Sequence, residues 1–560
     1  MKQISKQKRP VKKKITLPTV ALALVSIWIT LCCAANLEWD SAGNLITHSY
    51  SVWGDWSAHF SFISAFRERG IHWLSGDNPL FMGMPMQYPF LSHLLTAFYA
   101  WALHLNVVTA TFSMSLILML GLPFALRYFF DSLGLKPWTS FTSVVLFLFA
   151  GGFQCFDSAI GPKEFVTNQF DLGSIFTQFI IFELFPQRAF LFGVICFSLL
   201  AGRLIRGMKN NTLTLPQVSI LGVLISLMTW LHVHTWISIS SLILFSFIAP
   251  PVPFRKKILI FGASVAGLSA ILLGYLLFRG HPSPEFSNTW DIWFPLWAQS
   301  PKANIAKAHD MNFFVFWIYN TGIFLPLALA GIYFTGCFSK GASYLKPLAY
   351  SGLTLFLVAL FFNIQPYYYD NLKLFTYSFL LLAPFAALGL EKIAGLHKLL
   401  YPVAVALLAV QCASACLDLN SLRSHIQTTT FFNADEFTLA EEFKSIRKSP
   451  DSLVLIGSGH NHWVPCLAGN PIVMGYPGWL WSWGINYVSR ERQVQAILMG
   501  KPEAQAAIQA LHFDYVIVRK NEEIDRKPIN HDFLKTQFQL LRDKSGWEIY
   551  SIRSPDTSVR

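Results

Sequence analysis

The chain has 560 residues, of which 53% are hydrophobic, 15% aromatic and only 13% charged. A soluble protein carries roughly a quarter charged residues, so this composition excludes a water-soluble globular enzyme and points to an α-helical polytopic membrane protein. The net charge of +12 does not imply nucleic-acid binding. Much of it sits in an N-terminal tail, at Lys2, Lys6, Lys8, Arg9, Lys12, Lys13 and Lys14, which holds that end in the cytoplasm and can touch anionic lipid.

The tail (residues 1–16) precedes a first apolar run, Leu17–Asn36, long enough to span and without a clean A-x-A-like cleavage site. An uncleaved signal anchor is expected rather than a signal peptide. The first outside loop, 37–89, follows. It reads HSYSVWGDWSAHFSFISAFRERG from His48 to Gly70 and GDNPLFMGMPMQYPF from Gly76 to Phe90. Asp55 lies four residues before His59 in an amphipathic helical pattern, so both side chains share a helix face beside the membrane. A carboxylate there can serve as a general base or can merely cap or solvate an interfacial helix.

Further apolar runs cover Phe90–Leu105, Val107–Phe130, Trp138–Cys155, Phe185–Leu204, Pro216–Leu231, Thr235–Pro250, Ile258–Phe278, Phe313–Thr335, Pro347–Phe362, Leu372–Leu390 and Leu399–Cys416. With Gly173–Phe185 an open case, roughly 11–13 spans are predicted within 17–416. Arg203, Arg206, Lys209, Arg255, Lys256, Lys257, Lys340, Lys346, Lys392 and Lys398 belong on the cytoplasmic side by the positive-inside rule. The opposite side then collects the Asp55 loop, the His232/His234 turn, the loop Arg279–Asp310, the turn Asn363–Asn371 and everything after Cys416.

Polar groups at membrane edges are costly and usually face a cavity or a partner. Arg188, in LFPQRAFLFG, follows a Pro that starts a helix, where its planar fork suits a phosphate; it can equally snorkel to the interface. His232 and His234, in TWLHVHTW, can hydrogen-bond a phosphate or a sugar, but two His at i, i+2 do not share a helical face and make a weak metal motif. In NIQPYYYDNLKLFTY, Asp370 or Asn371 is placed to cap the following helix. Lys373, in its first turn, opposes the helix dipole and calls for an anion, either Asp370 or a lipid phosphate. The adjacent tyrosines, Tyr369 among them, suit sugar stacking. Asp157, Glu164 and Asp171 could hold a divalent cation but match no known loop pattern.

Residues 417–560 differ in composition. DSLVLIGSG (Asp451–Gly459), DYVIVRK (Asp514–Lys520) and GWEIYSIR (Gly546–Arg553) read as strands, with helical stretches between them, which predicts a small C-terminal α/β domain outside the cytoplasm. No dinucleotide or phosphate-loop fingerprint follows the first strand. The eight Cys residues form no disulfide or zinc framework. Gly459–Gly484, with His460, His462 and Trp479, either folds over a cavity mouth or packs on the membrane belt.

A basic terminus, one span, an outside loop carrying GDWSAHF and F-x-G-x-P-x-x-YP, and then many spans resemble the C-type (GT-C) superfamily of polyprenyl-phosphate-sugar-dependent membrane glycosyltransferases. The matching residues are Asp55, His59, Gly83, Pro85, Tyr88 and Pro89. The later pieces LFPQRAFLFG, TWLHVHTW, YYYDNLK and GYPGWLWSWG resemble bacterial members with a small outside C-terminal domain. The chain departs from the pattern in its single Asp, where some members carry an Asp-Glu or Asp-x-Asp pair, and in its short loop Arg279–Asp310.

The resemblance implies a multi-pass enzyme of the bacterial cytoplasmic membrane, N-terminus inside. It would transfer a sugar from a polyprenyl-phosphate carrier to a glycan, lipid or protein acceptor, with Asp55 as base and His59 beside it. Arg188, His232, His234 and Lys373 would face the donor phosphate, and Tyr88, Tyr369, Asp370, Asn371 and Trp479 the sugar. A divalent cation is possible and no other cofactor is implied. The rival expectation is a transporter or flippase of a lipid-linked or anionic envelope precursor, which would show paired similar halves; none are seen.

Overall fold

The computed structural model describes residues 16–75, 77–157, 178–210, 212–248, 255–277, 291–292, 310–339, 345–364, 367–524 and 526–552. Glu164, Asp171 and nearly all of the loop Arg279–Asp310 lie outside the described residues.

Five helices are long and apolar enough to cross a membrane: Leu17–Ala34, Val107–Ser132, Arg188–Lys209, Tyr369–Leu396 and Leu400–Ser424. A sixth span is bent by 94° between Phe313–Thr321 and Phe324–Phe334, and five shorter apolar helices accompany these. The chain is thus a multi-pass membrane protein, but several predicted spans are cut short. The Pro216–Leu231 run divides at Leu227 into helices Leu215–Ser226 and Met228–Leu231. The Trp138–Cys155 run stops being helical at Leu148. A Cβ on Gly152 would lie 1.9 Å from the Tyr319 carbonyl oxygen, so the chain there must run against another backbone rather than continue a helix.

Polar side chains repair the breaks, since an unmet backbone group in hydrocarbon costs several kcal/mol. At the bend, Gly322 takes a positive φ of 59°. Gln411, buried in the Leu400–Ser421 helix, accepts from the Ile323 amide at 2.7 Å and donates to the Gly151 and Thr321 carbonyls at 2.6 and 3.0 Å. Helix Phe324–Phe334 then crosses Leu372–Leu396 closely at small residues. Cβ atoms on Gly331 and Gly389 would fall 1.8 Å from the Phe385 carbonyl oxygen and 2.5 Å from that of Leu327, the small-residue contact by which membrane helices pack. Gly331→Ala is expected to destabilise the protein by about 1–3 kcal/mol, as overpacking does. Thermal unfolding in detergent would show it as a lowered midpoint, and an unchanged midpoint would mean the crossing is looser than drawn.

The first loop and the tail do not form separate bodies. Strand Leu37–Trp39 pairs with Leu45–Thr47, which pairs with Thr429–Phe432 of the tail, all antiparallel. Further along the loop, the Ile472 and Gly475 amides donate to the Pro79 and Leu80 carbonyls at 2.9 and 2.8 Å, and Phe81 bridges Met474. The tail's own sheet runs in the order Phe538–Lys544, Trp547–Ile552, Tyr515–Arg519, Val454–Leu455, with only the last pair parallel. Three of these strands lie within the predicted runs; Phe538–Lys544 was not foreseen. Helices Ala434–Ile446, Val488–Met499 and Ala504–Leu511 complete the α/β arrangement.

Between loop and tail lies helix Tyr50–Arg69, buried along most of its length. The Ser64 hydroxyl donates to the Cys466 carbonyl at 2.6 Å. Arg447 reaches Glu68 at 2.9 Å and the Ala468 carbonyl at 2.7 Å, and Arg69 pairs with Asp451 at 2.5 Å. The tail therefore grips the helix that carries Asp55.

Candidate functional site

Helix Tyr50–Arg69 begins at Ser49, whose hydroxyl accepts from the Val52 amide at 3.3 Å. That cap satisfies one orphan donor and leaves Asp55 in the second turn. Asp55 is half-buried, and its carboxylate makes no hydrogen bond or ion pair among the described residues. Burial pushes its pKa up to about 7; Lys373 pulls against this and Asp370 adds to it. His59, one turn on, faces elsewhere. Its Nδ1 lies 2.8 Å from Nε2 of His93, and burial, with the Arg188 charge adding, lowers its pKa to about 3. His59 is thus a neutral imidazole paired with another, one turn on from Asp55.

Lys373 is the electrostatic centre of the site. Its ammonium pairs with Asp370 at 2.6 Å, the two side chains being 12% and 17% exposed. It also acts on Asp55, His59, Glu183, His232 and His234. The expected cap is corrected here. A tight turn, Tyr368–Asn371, leads into helix Leu372–Leu396 with no side-chain cap. Asp370 is committed to Lys373 instead, and Asn371 is consumed by backbone, donating to the Ala359 and Phe362 carbonyls at 3.3 and 2.5 Å and accepting from Ile364 at 3.4 Å. Fully buried, Asn371 shapes the turn through these bonds. Tyr369 is half-buried, its ring 5.5 Å from that of Tyr367.

Arg188 is completely buried, not snorkelling. Its Nε donates to Ser115 at 2.9 Å and its Nη2 to Thr96 at 2.8 Å, while Nη1 is left without a partner. A buried guanidinium with an unused donor is costly unless an acceptor arrives. His232 adopts extended backbone at the break between Met228–Leu231 and Val233–Ile248. The break brings the His232 and His234 rings to 5.2 Å, which helical spacing alone would forbid. His232 Nδ1 is held by Thr235 at 2.9 Å, and its Nε2 has no partner.

Sequence reasoning missed two residues. Glu183 is buried, bonded to Thr376 at 2.6 Å and within reach of both Lys373 and Asp370. A lone carboxylate in the apolar stretch FIIFELF (179–185) was the available signal. His93, in LSHLLTAF (91–98), carried a similar one.

The aromatic tail segment lies against the Asp55 helix. His460 stacks on Trp53 with centroids 4.2 Å apart and planes at 7°, and Trp479 sits 4.7 Å from His460. The Trp479 indole donates to the Gly54 carbonyl at 3.2 Å. Tyr88 stacks on Phe62 and meets Trp483, with centroids at 5.7 and 5.4 Å, and burial raises its pKa. Trp481 reaches Tyr367 at 6.0 Å. Rings of the tail thus meet the Asp55 helix at Trp53 and Gly54 and reach Tyr367 beside the Tyr368–Asn371 turn.

The site residues are not drawn together as a metal centre. Among the described residues, none of Asp55, Asp157, Glu183, His232, His234 or Asp370 belongs to a group of three ligand atoms converging within 4.8 Å.

No protein-family model matches the chain, and no curated protein matches it. Solved structures do. The oligosaccharyltransferase AglB of Archaeoglobus fulgidus, in complex with an inhibitory peptide and a dolichol-phosphate, aligns at a TM-score of 0.53 and 10% identity, over 90% of this chain and 69% of its own. The arabinofuranosyltransferase AftD from Mycobacteria aligns at 0.54 and 12%, over 96% of this chain but 40% of its own. At such identities the likeness is one of fold. The chain has the fold of these glycosyltransferases.

Proposed function

We propose that this protein is a membrane glycosyltransferase that moves a sugar from a polyprenyl-phosphate carrier to a cell-envelope acceptor, on the outer face of a bacterial cytoplasmic membrane. The observation that carries the reading is the unpaired Asp55 carboxylate, tuned by burial to about 7 and facing a lysine that serves several acids and histidines at once. A base poised near the working pH is what hydroxyl activation requires. The acceptor oxygen would attack the anomeric carbon as Asp55 takes its proton. The bond from that carbon to the phosphate oxygen would break, and the electron pair would leave with the polyprenyl phosphate. Lys373 and the free Nη1 of Arg188 are the cations for the growing phosphate charge, and His232 Nε2 is a further hydrogen-bonding group. His59 is a positioning residue, holding His93 beside Arg188. Tyr88, Tyr369 and Trp479 supply faces for the sugar. The tail from residue 417 would lie outside the cytoplasm. Helix Leu400–Ser421 carries the last span a turn beyond that point.

The test is donor cleavage. Purified full-length protein in lipid nanodiscs would be given a panel of polyprenyl-phosphate sugars and a crude envelope extract as acceptor, with mass spectrometry following free polyprenyl phosphate and glycosylated product. Acceptor-dependent release from one donor supports the reading. In proteoliposomes, movement of intact donor across the bilayer without cleavage would replace it with transport.

A further inference from the structure

A second constellation lies away from Lys373, where the first loop meets the tail. Glu38, on strand Leu37–Trp39, His48, the residue after Leu45–Thr47 and Ser49's neighbour, and His425, which follows the last span, offer one ligand atom each, all within 4.8 Å of one another. They are the one such group among the described residues.

The orientation of His48 is telling. Its Nδ1 lies 3.2 Å from the Gln427 carbonyl and 3.0 Å from the Thr428 hydroxyl. A carbonyl can only accept, so Nδ1 carries the proton, and in the neutral ring Nε2 is a lone pair. That lone pair is buried without a hydrogen-bond partner and points at the Glu38 carboxylate 3.3 Å away. Two acceptors face each other, and a cation resolves them. Holding one imidazole nitrogen on a backbone carbonyl so that the other can ligate is the usual support of a metal-binding His. The His425 ring stacks on His48 at 3.7 Å with planes 11° apart; rings face to face hold their in-plane lone pairs parallel, so His425 must turn out of the stack to share an ion with His48. Its backbone sits at φ 51°, a left-handed conformation that a non-glycine residue adopts at a cost and that places the ring there.

We propose that Glu38, His48 and His425 bind a transition-metal dication, zinc by preference, which staples the first loop to the tail. Two imidazoles and one carboxylate suit zinc and not magnesium or calcium, which take oxygen ligands. Glu38 is 46% exposed and His48 1%, so water can complete a tetrahedron from the solvent side. The staple would act where it matters: His48 directly precedes the cap of the helix that carries Asp55, and His425 precedes the strand Thr429–Phe432 that completes the loop's sheet.

The experiment uses tag-free, full-length protein in detergent, stripped with chelator. Zinc binding is measured by titration calorimetry and by metal analysis after dialysis, and thermal midpoints are read with and without zinc. Wild type should hold one equivalent and melt several degrees higher with it. His425→Ala and Glu38→Gln, both at exposed positions, should fold, lose that equivalent and melt as the stripped wild type does. Thr428→Val should weaken binding by about tenfold, the ordinary effect of losing a support behind a ligand. The proposal is overturned if wild type takes up no more zinc than His425→Ala, or if melting responds to pH but not to zinc, which would mean a proton on His48 Nε2 is all that bridges it to Glu38.

Discussion

Asp55→Asn is expected to abolish sugar transfer while leaving the protein at least as stable as the wild type. Asparagine keeps the shape of the side chain and removes its basicity, and loss of a general base costs about 10²- to 10⁴-fold in rate. The pH dependence carries a signature of its own. With Asp55 near 7, the rate should fall about tenfold per pH unit below that value, because the base is then protonated. The stability effect has the opposite sign from that of a salt-bridged acid. A folded pKa raised from 3.8 to about 7 means that the folded state prefers the protonated carboxyl. The favourable contribution is complete below about 4 and is lost as pH rises toward 7. At pH 7 to 8 the wild type carries a disfavoured carboxylate that Asn lacks, so the variant's thermal midpoint should match or exceed the wild type's, with a gap that widens up to about pH 7 and then levels off. Product formation and melting, both followed from pH 5.5 to 8.5, check the two halves. Activity within a few-fold of wild type would remove Asp55 as the base; a lower midpoint at every pH would mean the carboxylate is structural.

What could be read from the sequence, and what could not, follows from the range of the forces involved. The membrane class, the Asp55 helix and three tail strands are local: hydropathy over about 20 residues, an amphipathic pattern around Asp55 and the short apolar run in DYVIVRK suffice. The bend at Gly322 is not local, because it is held by Gln411 from a helix nearly 90 residues later. A hydropathy window sums straight through it. The same holds for the His232/His234 pair, whose rings meet only because the backbone breaks between two helices. Asp55, Arg188 and Lys373 could each be singled out as charges in apolar surroundings, yet nothing in the sequence said that the lysine would act on Asp55, Glu183 and Asp370 together. Glu183 was passed over, although the same rule that found Arg188 applies to it. His59 and Asn371 were singled out by spacing and residue type, whereas their partners, His93 and the Phe362 carbonyl, could not be read from either. The fusion of loop and tail was equally hidden, since the sheet of Leu37–Trp39, Leu45–Thr47 and Thr429–Phe432 joins segments some 380 residues apart.

Replacing Lys373 with Met should be the more damaging change, because it strikes both the charge balance and the chemistry. Asp370 loses its partner at 2.6 Å, and Asp55 and Glu183 lose a positive charge that acts on both. Breaking a buried pair costs about 3–5 kcal/mol; with the two side chains 12% and 17% exposed, some water remains, and about 2 kcal/mol is the expected loss. Since Lys373 pulls the Asp55 pKa down, removing it should also move the acid limb of any residual activity to higher pH. On the proposed function the leaving phosphate would also lose a stabilising cation, a further drop of about 10²- to 10³-fold in kcat by analogy with other charge-stabilising groups. The two effects can be separated. In the double variant Lys373→Met with Asp370→Asn, the unpaired acid is gone, so stability should return most of the way while transfer stays lost. Melting in detergent and single-turnover donor cleavage give both readings on one preparation. If activity returns with stability, Lys373 serves only to hold the Tyr368–Asn371 turn, and the phosphate must rely on Arg188.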